Sequence, residues 1–122
     1  MSAGPAGYAA FRARFAEALD PRLYGIEHLD ALVASGRAIF MAAGDAAILF
    51  ELRTYPTGAR AVHGLVAAGD AERITALLIP SAEAWGVARG CIGATIESRP
   101  GWARLLKPHG YAVHQVAVWK DL

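Results

Sequence analysis

The segment from Ala61 to Glu97 constrains the fold of this chain more than any other. It predicts a strand at Ala61–Val66, a glycine turn at 67–69, a helix over 70–89 and a second strand at Cys91–Glu97. A strand, a helix and a strand at this spacing favour parallel pairing of the two strands through a right-handed crossover. Ligands of open α/β sheets usually bind at the carboxyl end of such strands, so the 67–70 loop is a candidate site.

The predicted crossover helix is amphipathic. Asp70 has the chemistry of an N-cap, and Gly90 suits the left-handed residue that ends a helix. Apolar residues recur at steps of three and four, which places them on one face: Ile74, Leu77, Leu78, Ala82, Trp85 and Ala88. We therefore expect this face, including Trp85, to pack in the core.

The flanking segments predict a single α/β (α+β) domain over residues 1–122. We expect a loose N-terminus (1–7), two N-terminal helices within 8–36, and a sheet with its crossover helix over 37–120. The further predicted elements are helices at Tyr8–Leu19, Ile26–Ser35 and Trp102–Lys107, and strands at Arg37–Ala42, Ala46–Tyr55 and Tyr111–Trp119. Together they make a central mixed β-sheet of about five strands flanked by helices, in which the first three strands form a meander.

Composition excludes several classes of protein. The net charge of +1 is too small for a nucleic-acid footprint, and no apolar run is long enough to span a membrane. The single cysteine, Cys91, fits a reducing compartment, so we expect a cytoplasmic protein with no membrane or nucleic-acid partner. The four histidines are scattered over different predicted elements, and we expect no metal site.

Two groups of residues are candidates for chemistry. Glu51 and His63 lie on neighbouring strands, where they could form an acid/base pair or an ordinary cross-strand contact. The Ala67–Asp70 turn could cradle a phosphate on its free amides, or it could be a strand-to-helix turn with an acidic cap. Asp70 and Glu72 put two carboxylates at the helix start, which favours the capping interpretation.

The order of elements over about Arg37 to Lys120 resembles the GCN5-related N-acetyltransferase (GNAT) superfamily. The closest resemblance is to small GNAT-like proteins of phages and prophages. It rests on the segments Ala68-Gly69-Asp70, Ala84-Trp85, Arg89-Gly90-Cys91 and Arg99-Pro100-Gly101-Trp102-Ala103-Arg104.

This resemblance implies a fold and a set of site residues. Active GNAT proteins bind acetyl-CoA on the loop that opens the crossover helix, which here implies Leu65, Val66, Ala67, Ala68, Gly69 and Asp70 as cofactor-binding residues. The position of the usual base falls at His63, with Glu51 as the other candidate. The usual tyrosine acid is replaced by Leu106, which has no proton to donate, and the usual second glycine of the cofactor loop is absent.

Three hypotheses follow. The residue chemistry favours a non-catalytic or degenerate GNAT-fold protein, such as a phage-related structural or interaction module, virion-associated if it derives from a phage. The alternative is an acetyl-CoA-dependent N-acetyltransferase acting on an unknown amine. A third is a small dimeric binding domain unrelated to CoA. The partner would be a protein or a second copy of the chain. An open cleft between strands 61–66 and 91–97 would favour the cofactor-binding alternative.

Overall fold

The structure is a computed structural model that describes residues 2–3 and 5–122, with side-chain surroundings from Gly7 onward. The elements in chain order are β1 (Ser2–Ala3), α1 (Pro5–Ala18), α2 (Ile26–Ala34), β2 (Ala38–Ala43), β3 (Ala46–Thr54), β4 (Arg60–Ala68), α3 (Ala71–Arg73), a π-helical turn (Ile74–Leu78), α4 (Ile79–Val87), β5 (Gly93–Ile96), α5 (Pro100–Leu106) and a 3₁₀ turn (Lys107–His109). The predicted mixed sheet flanked by helices is confirmed. None of the helices within 5–122 combines the length and the apolar character that crossing a membrane requires.

The sheet has the order β1-β2-β3-β4-β5. Its first four strands pair antiparallel, and β4 pairs with β5 in parallel from Ala61 opposite Gly93 to Gly64 opposite Ile96. The predicted parallel crossover is therefore confirmed. Four strands have four or more residues, and β1 is a two-residue strand at the far edge.

The predicted last strand, Tyr111–Trp119, is wrong. Residues 111–122 have no regular secondary structure, and all of them after Tyr111 are exposed. Gly110, with φ of 89°, ends the preceding 3₁₀ turn in the left-handed conformation. The alternating pattern suits a strand, but a strand needs a neighbour that accepts and donates its backbone hydrogen bonds, and the pattern does not supply one.

Two hydrophobic cores lie on opposite faces of the sheet. Helices α1 and α2 cover one face, where Phe15, Phe40 and Leu49 are almost fully buried. The crossover helix and α5 cover the other face, where Phe50 and Leu78 are almost fully buried. Because each helical layer buries one face, the edge of β5 and the ends of β4 and β5 are the parts of the sheet left for binding.

The crossover helix runs from α3 through the π-helical turn into α4, and its buried face differs from the predicted one. Leu77 is 45% exposed and Ala88 is exposed, whereas Ile74, Leu78 and Ala82 are buried as expected. The reason is the π turn, in which the amide of Ile79 donates to the carbonyl of Ile74. One extra residue in that turn shifts the later positions around the helix, so steps of three and four no longer describe one face.

Candidate functional site

The site begins where β4 and β5 diverge. Their paired region ends at Gly64 and Ile96, but β4 continues to Ala68, paired with β3 again from Val66 after a register shift that leaves Leu65 without a β3 partner. Within the described residues, the backbone of 66–68 therefore has no strand partner on the side that faces away from β3. A diverging pair of parallel strands leaves polar backbone groups at the mouth of a gap, where a ligand can pair with them.

A cavity of about 470 Å³ opens in this gap, within the range typical of small-molecule sites. Predicted cofactor residues Leu65 to Gly69 line one wall. The other walls include Arg14 and Glu17 of α1, Glu83 of α4, Thr95 and Ile96 of β5, the loop residues Glu97 to Arg99, Trp102 of α5, and Tyr111. The cleft between these two strands is therefore open, which is the condition that favours the cofactor-binding alternative.

The start of the crossover helix forms the mouth of the cleft. The carboxylate of Asp70 accepts a hydrogen bond of 3.0 Å from the backbone N–H of Arg73, so the predicted N-cap is confirmed. Asp70 does not line the cavity itself. Gly69 has φ of 98°, and a Cβ there would collide with the carbonyl oxygen of Asp45. Only glycine fits this position, and its small size lets the turn pack against the β2–β3 loop.

Charges of both signs surround this mouth. The guanidinium of Arg14 lines the cavity and donates a hydrogen bond of 2.9 Å to the carbonyl oxygen of Asp45, which fixes it beside the Gly69 turn. The carboxylates of Asp70 and Glu72 are exposed at the helix start. An anionic ligand here would meet the guanidinium of Arg14 and the helix amides, which favour it, and the carboxylates of Asp70 and Glu72, which oppose it.

Glu51 and His63 are directly opposite each other across β3 and β4, as the acid/base hypothesis required. The hydrogen bond of His63 nevertheless goes to β5: its Nδ1 lies 2.7 Å from Oγ1 of Thr95. The carboxylate of Glu51 lies 3.8 Å from the guanidinium of Arg53 instead. Burial, and then the charge of Arg53, hold the pKa of His63 below its ordinary value, so the imidazole is neutral at pH 7.

His63 does not line the cavity, whereas Thr95 does. Thr95 therefore contacts the buried imidazole through its hydroxyl and also lines the cleft. Sequence reasoning missed Thr95, although its register opposite His63 follows from the parallel pairing of 61–64 with 93–96. No group of three or more His, Cys, Asp and Glu side chains in the described ranges could hold a metal ion.

Sequence reasoning also missed a pair on the opposite wall. The hydroxyl of Tyr111 donates a hydrogen bond of 2.6 Å to Oε2 of Glu83. Burial, followed by this hydrogen bond, raises the pKa of Tyr111, so the phenol stays protonated. The sequence predicts Tyr111 as the start of a strand, which does not form. Leu106, at the position of the usual acid, is buried in the core.

Comparison with known proteins gives a likeness in structure but none in sequence. No protein-family model matches the chain, and no curated protein matches it. Among solved structures, a ribosomal-protein-alanine N-acetyltransferase from Brucella melitensis biovar Abortus superposes with a TM-score of 0.70 at 15% identity, covering 100% of both chains.

Two aminoglycoside N-acetyltransferases are also similar. One, solved in complex with CoA, has a TM-score of 0.71 at 12% identity and covers 98% of this chain and 90% of its own. The other, a 6'-N-acetyltransferase from Acinetobacter haemolyticus, has a TM-score of 0.67 at 17% identity and covers 100% of this chain and 98% of its own. At such identities the likeness concerns the fold. The chain therefore has the fold of the GNAT superfamily, as its sequence predicted.

Proposed function

We propose that this protein binds acetyl-CoA between β4 and β5 and transfers the acetyl group to an amine. The observation that carries the proposal is the open cleft of about 470 Å³ beside residues 66–68 of β4, which have no strand partner on the side facing away from β3. A closed cleft would have favoured the non-catalytic module. The similarity in fold to an acetyltransferase solved with CoA supports the choice of ligand.

The residues around the cleft suit the two chemical parts of this ligand. The backbone N–H and C=O groups of residues 66–68 that face away from β3 can pair with the amides of a pantetheine arm, in the way that an added strand pairs with a sheet edge. The amides at the start of the crossover helix and the guanidinium of Arg14 can hold a pyrophosphate. Asp70 and Glu72 oppose that anion, so we expect modest affinity.

Acetyl-CoA supplies an acyl group activated as a thioester, and this chain's own residues must make the amine nucleophilic. A primary amine is mostly protonated at pH 7, and its ammonium form must lose a proton before the nitrogen can attack, which requires a base near the cleft. The hydroxyl of Thr95, a residue that lines the cavity, can accept that proton while passing its own to Nδ1 of His63. Glu51 lies opposite His63, and its negative charge favours the imidazolium that forms.

The leaving group needs no strong acid in this scheme. A thiolate is a good leaving group because thiols have pKa values near 8.5, so water can supply its proton. The apolar Leu106 at the position of the usual acid is therefore compatible with transfer. Tyr111 lines the cleft without a catalytic part in this scheme, and its hydrogen bond to Glu83 holds the side chain in place.

The test is release of free thiol when the protein is mixed with acetyl-CoA and a panel of primary amines. We expect amine-dependent release, which Thr95→Val and His63→Gln each lower by about 10²-fold or more, the contribution typical of a positioned base. Thr54→Val makes the same change at an exposed threonine at the end of β3 and should leave the rate unchanged. Equal rates for Thr95→Val and Thr54→Val would exclude proton transfer through Thr95 to His63. No thiol release with any amine would contradict the proposed acetyl transfer.

A second candidate function is the non-catalytic GNAT-fold interaction module expected from the sequence. The side chain of Leu106 is buried and cannot donate a proton, and the exposed carboxylates of Asp70 and Glu72 oppose an anionic cofactor. Absence of acetyl-CoA binding, together with absence of thiol release from any amine, would favour the module over the transferase.

A further inference from the structure

The cavity between β4 and β5 has an apolar part on the face of the sheet that the crossover helix covers. We call this part the inner chamber, and the apolar core residues of that face that line it are Ile48, Phe50, Val62, Ile79, Ala82 and Ala94. All of them are buried except Ala94, which is half-buried. Glu83 and Tyr111 also line the cavity on this side, but their polar atoms are bonded to each other at 2.6 Å. The inner chamber therefore favours an apolar occupant over water.

The inner chamber extends beyond the point where the two strands diverge. The last paired residues are Gly64 and Ile96, yet Val62 and Ala94, which pair two residues earlier, also line the cavity. Two residues of a strand span about 7 Å at about 3.3 Å per residue. Over this distance the backbones of β4 and β5 are already paired with each other, so a ligand that enters the chamber meets side chains only.

The acyl group is the part of the ligand that points into the inner chamber. This step rests on the proposed function, in which the amine that Thr95 deprotonates attacks the thioester carbonyl, so that carbonyl must lie beside Thr95. Thr95 is the residue between Ala94 and Ile96, and the acyl chain beyond the carbonyl therefore begins next to Ala94. An acetyl group has a single methyl beyond its carbonyl, which leaves most of the apolar wall without a contact.

We infer that the inner chamber holds the chain of a longer apolar acyl group, so that the preferred donor is a medium-chain acyl-CoA such as hexanoyl-CoA. Each methylene buried in the chamber should favour binding by about fourfold, because burial removes apolar surface from water. The transfer itself is the one already proposed. The amine nitrogen forms a bond to the acyl carbon, the bond from that carbon to sulfur breaks, and the electron pair leaves on the thiolate, which takes a proton from water.

Titration of the full-length chain with acetyl-CoA and with hexanoyl-CoA tests the inference through the ratio of the two dissociation constants. We expect wild type to bind hexanoyl-CoA at least about tenfold more tightly than acetyl-CoA. Ala94→Leu fills the chamber from β5 and should lower that ratio to below about threefold. Ala84→Leu makes the same change at an exposed position of α4 outside the cavity lining, and it should keep the wild-type ratio. Circular dichroism checks the fold, and Ala82→Leu, which fills the chamber from α4, replaces Ala94→Leu if that variant does not fold.

The outcomes separate this inference from the proposed function. Equal affinity of wild type for the two esters would overturn the inference while leaving an acetyl-CoA site between β4 and β5. A preference for hexanoyl-CoA that persists when Ala94 or Ala82 is replaced by leucine would also overturn it, because the acyl chain would then lie outside the chamber. Binding of neither ester would contradict the proposed function, and the inference with it.

Discussion

The Nδ1 atom of His63 lies 2.7 Å from the hydroxyl oxygen of Thr95, across the parallel pair of β4 and β5. His63 is only 4% exposed, while Thr95 reaches the cleft. This hydrogen bond connects a buried, neutral imidazole to a residue that lines the candidate ligand site. Burial of the imidazole also makes the stability of the protein depend on pH.

The first prediction concerns that pH dependence. Burial and Arg53 lower the pKa of His63 in the folded state, so the unfolded chain binds its proton at a higher pH. The unfolding free energy should therefore fall as the pH drops below about 6.5, the ordinary pKa of histidine, and be unaffected by this group above it. Urea melts between pH 5 and pH 8 should show a steeper acid loss for wild type than for His63→Gln. Parallel losses would mean that His63 is not held neutral by the fold.

The second prediction concerns the close contact between the crossover helix and β4. A Cβ at Gly86 would collide with a methyl group of Val62. Alanine is better than glycine in a helix by about 1 kcal/mol, but overpacking costs about 1–3 kcal/mol. We expect Gly86→Ala to destabilise the protein by about 1 kcal/mol.

A double-mutant cycle separates the helix preference for alanine from the cost of the collision with Val62. In a Val62→Ala background the colliding methyl is gone, so Gly86→Ala should be neutral or stabilising. If Gly86→Ala costs the same in both backgrounds, the collision is not the cause.

The third prediction concerns Trp85, which packs edge-on against Phe50 with ring centroids 5.1 Å apart. The sequence predicted a core position, but the side chain is only partly buried, and the guanidinium of Arg89 lies 4.0 Å from its ring centroid. Trp85→Ala should cost about 2–4 kcal/mol, toward the low end for a large aromatic. Val87→Ala, an exposed neighbour, should cost less than about 0.5 kcal/mol. A loss below about 1 kcal/mol for Trp85→Ala in denaturant melts would show that the Phe50 contact contributes little.

The fourth prediction concerns charge at the mouth of the cleft. Asp70→Ser keeps a capping oxygen, and Glu72→Gln keeps the side-chain shape, while both remove negative charge. If the pyrophosphate binds at this helix start, the double variant should bind acetyl-CoA more tightly than wild type, and the gain should shrink as salt rises. Asp121→Asn with Glu27→Gln, two exposed changes elsewhere, is the charge-matched control. Equal affinity for both double variants would place the anion somewhere else.

Much of the fold was predictable because its signals are local. Asp70 has a side chain that can cap a helix, and Gly69 is a residue typical of a tight turn. The number of residues between Val66 and Cys91 is enough for a crossover helix. The π turn was not predictable, because one extra residue in a helical turn leaves no mark in a pattern of apolar residues. The last strand was mispredicted because an alternating pattern of apolar residues shows which face of a strand would be buried. It does not show whether a neighbouring strand is available to form the backbone hydrogen bonds.

The site was predictable only in part. Residues 65–70 were assigned by resemblance, and the structure places all of them except Asp70 along the cleft. Their role in binding stays a prediction, as do those of Glu51 and His63. The position of Thr95 beside His63 depends on the register between β4 and β5. The Tyr111–Glu83 pair joins residues 28 positions apart, so neither contact forms a motif in the sequence.

The fifth prediction concerns Gly64, which lies where β4 and β5 diverge and lines the cavity. A Cβ there would be in ordinary contact with Ile96 at 3.4 Å, so a side chain can begin at this position without a clash at its Cβ. Gly64→Leu should fill the apex of the cleft and block a pantetheine arm. Gly93→Leu, on the same pair of strands, has open space around its Cβ and lies outside the cavity lining, so it is the matched control.

Calorimetric titration of these three proteins with acetyl-CoA at low salt tests the central claim most directly. The account predicts micromolar binding by wild type and Gly93→Leu, and at least about tenfold weaker binding, or about 1.4 kcal/mol, for a folded Gly64→Leu. No heat of binding from wild type, or equal affinity for all three proteins, would contradict a cofactor site between β4 and β5.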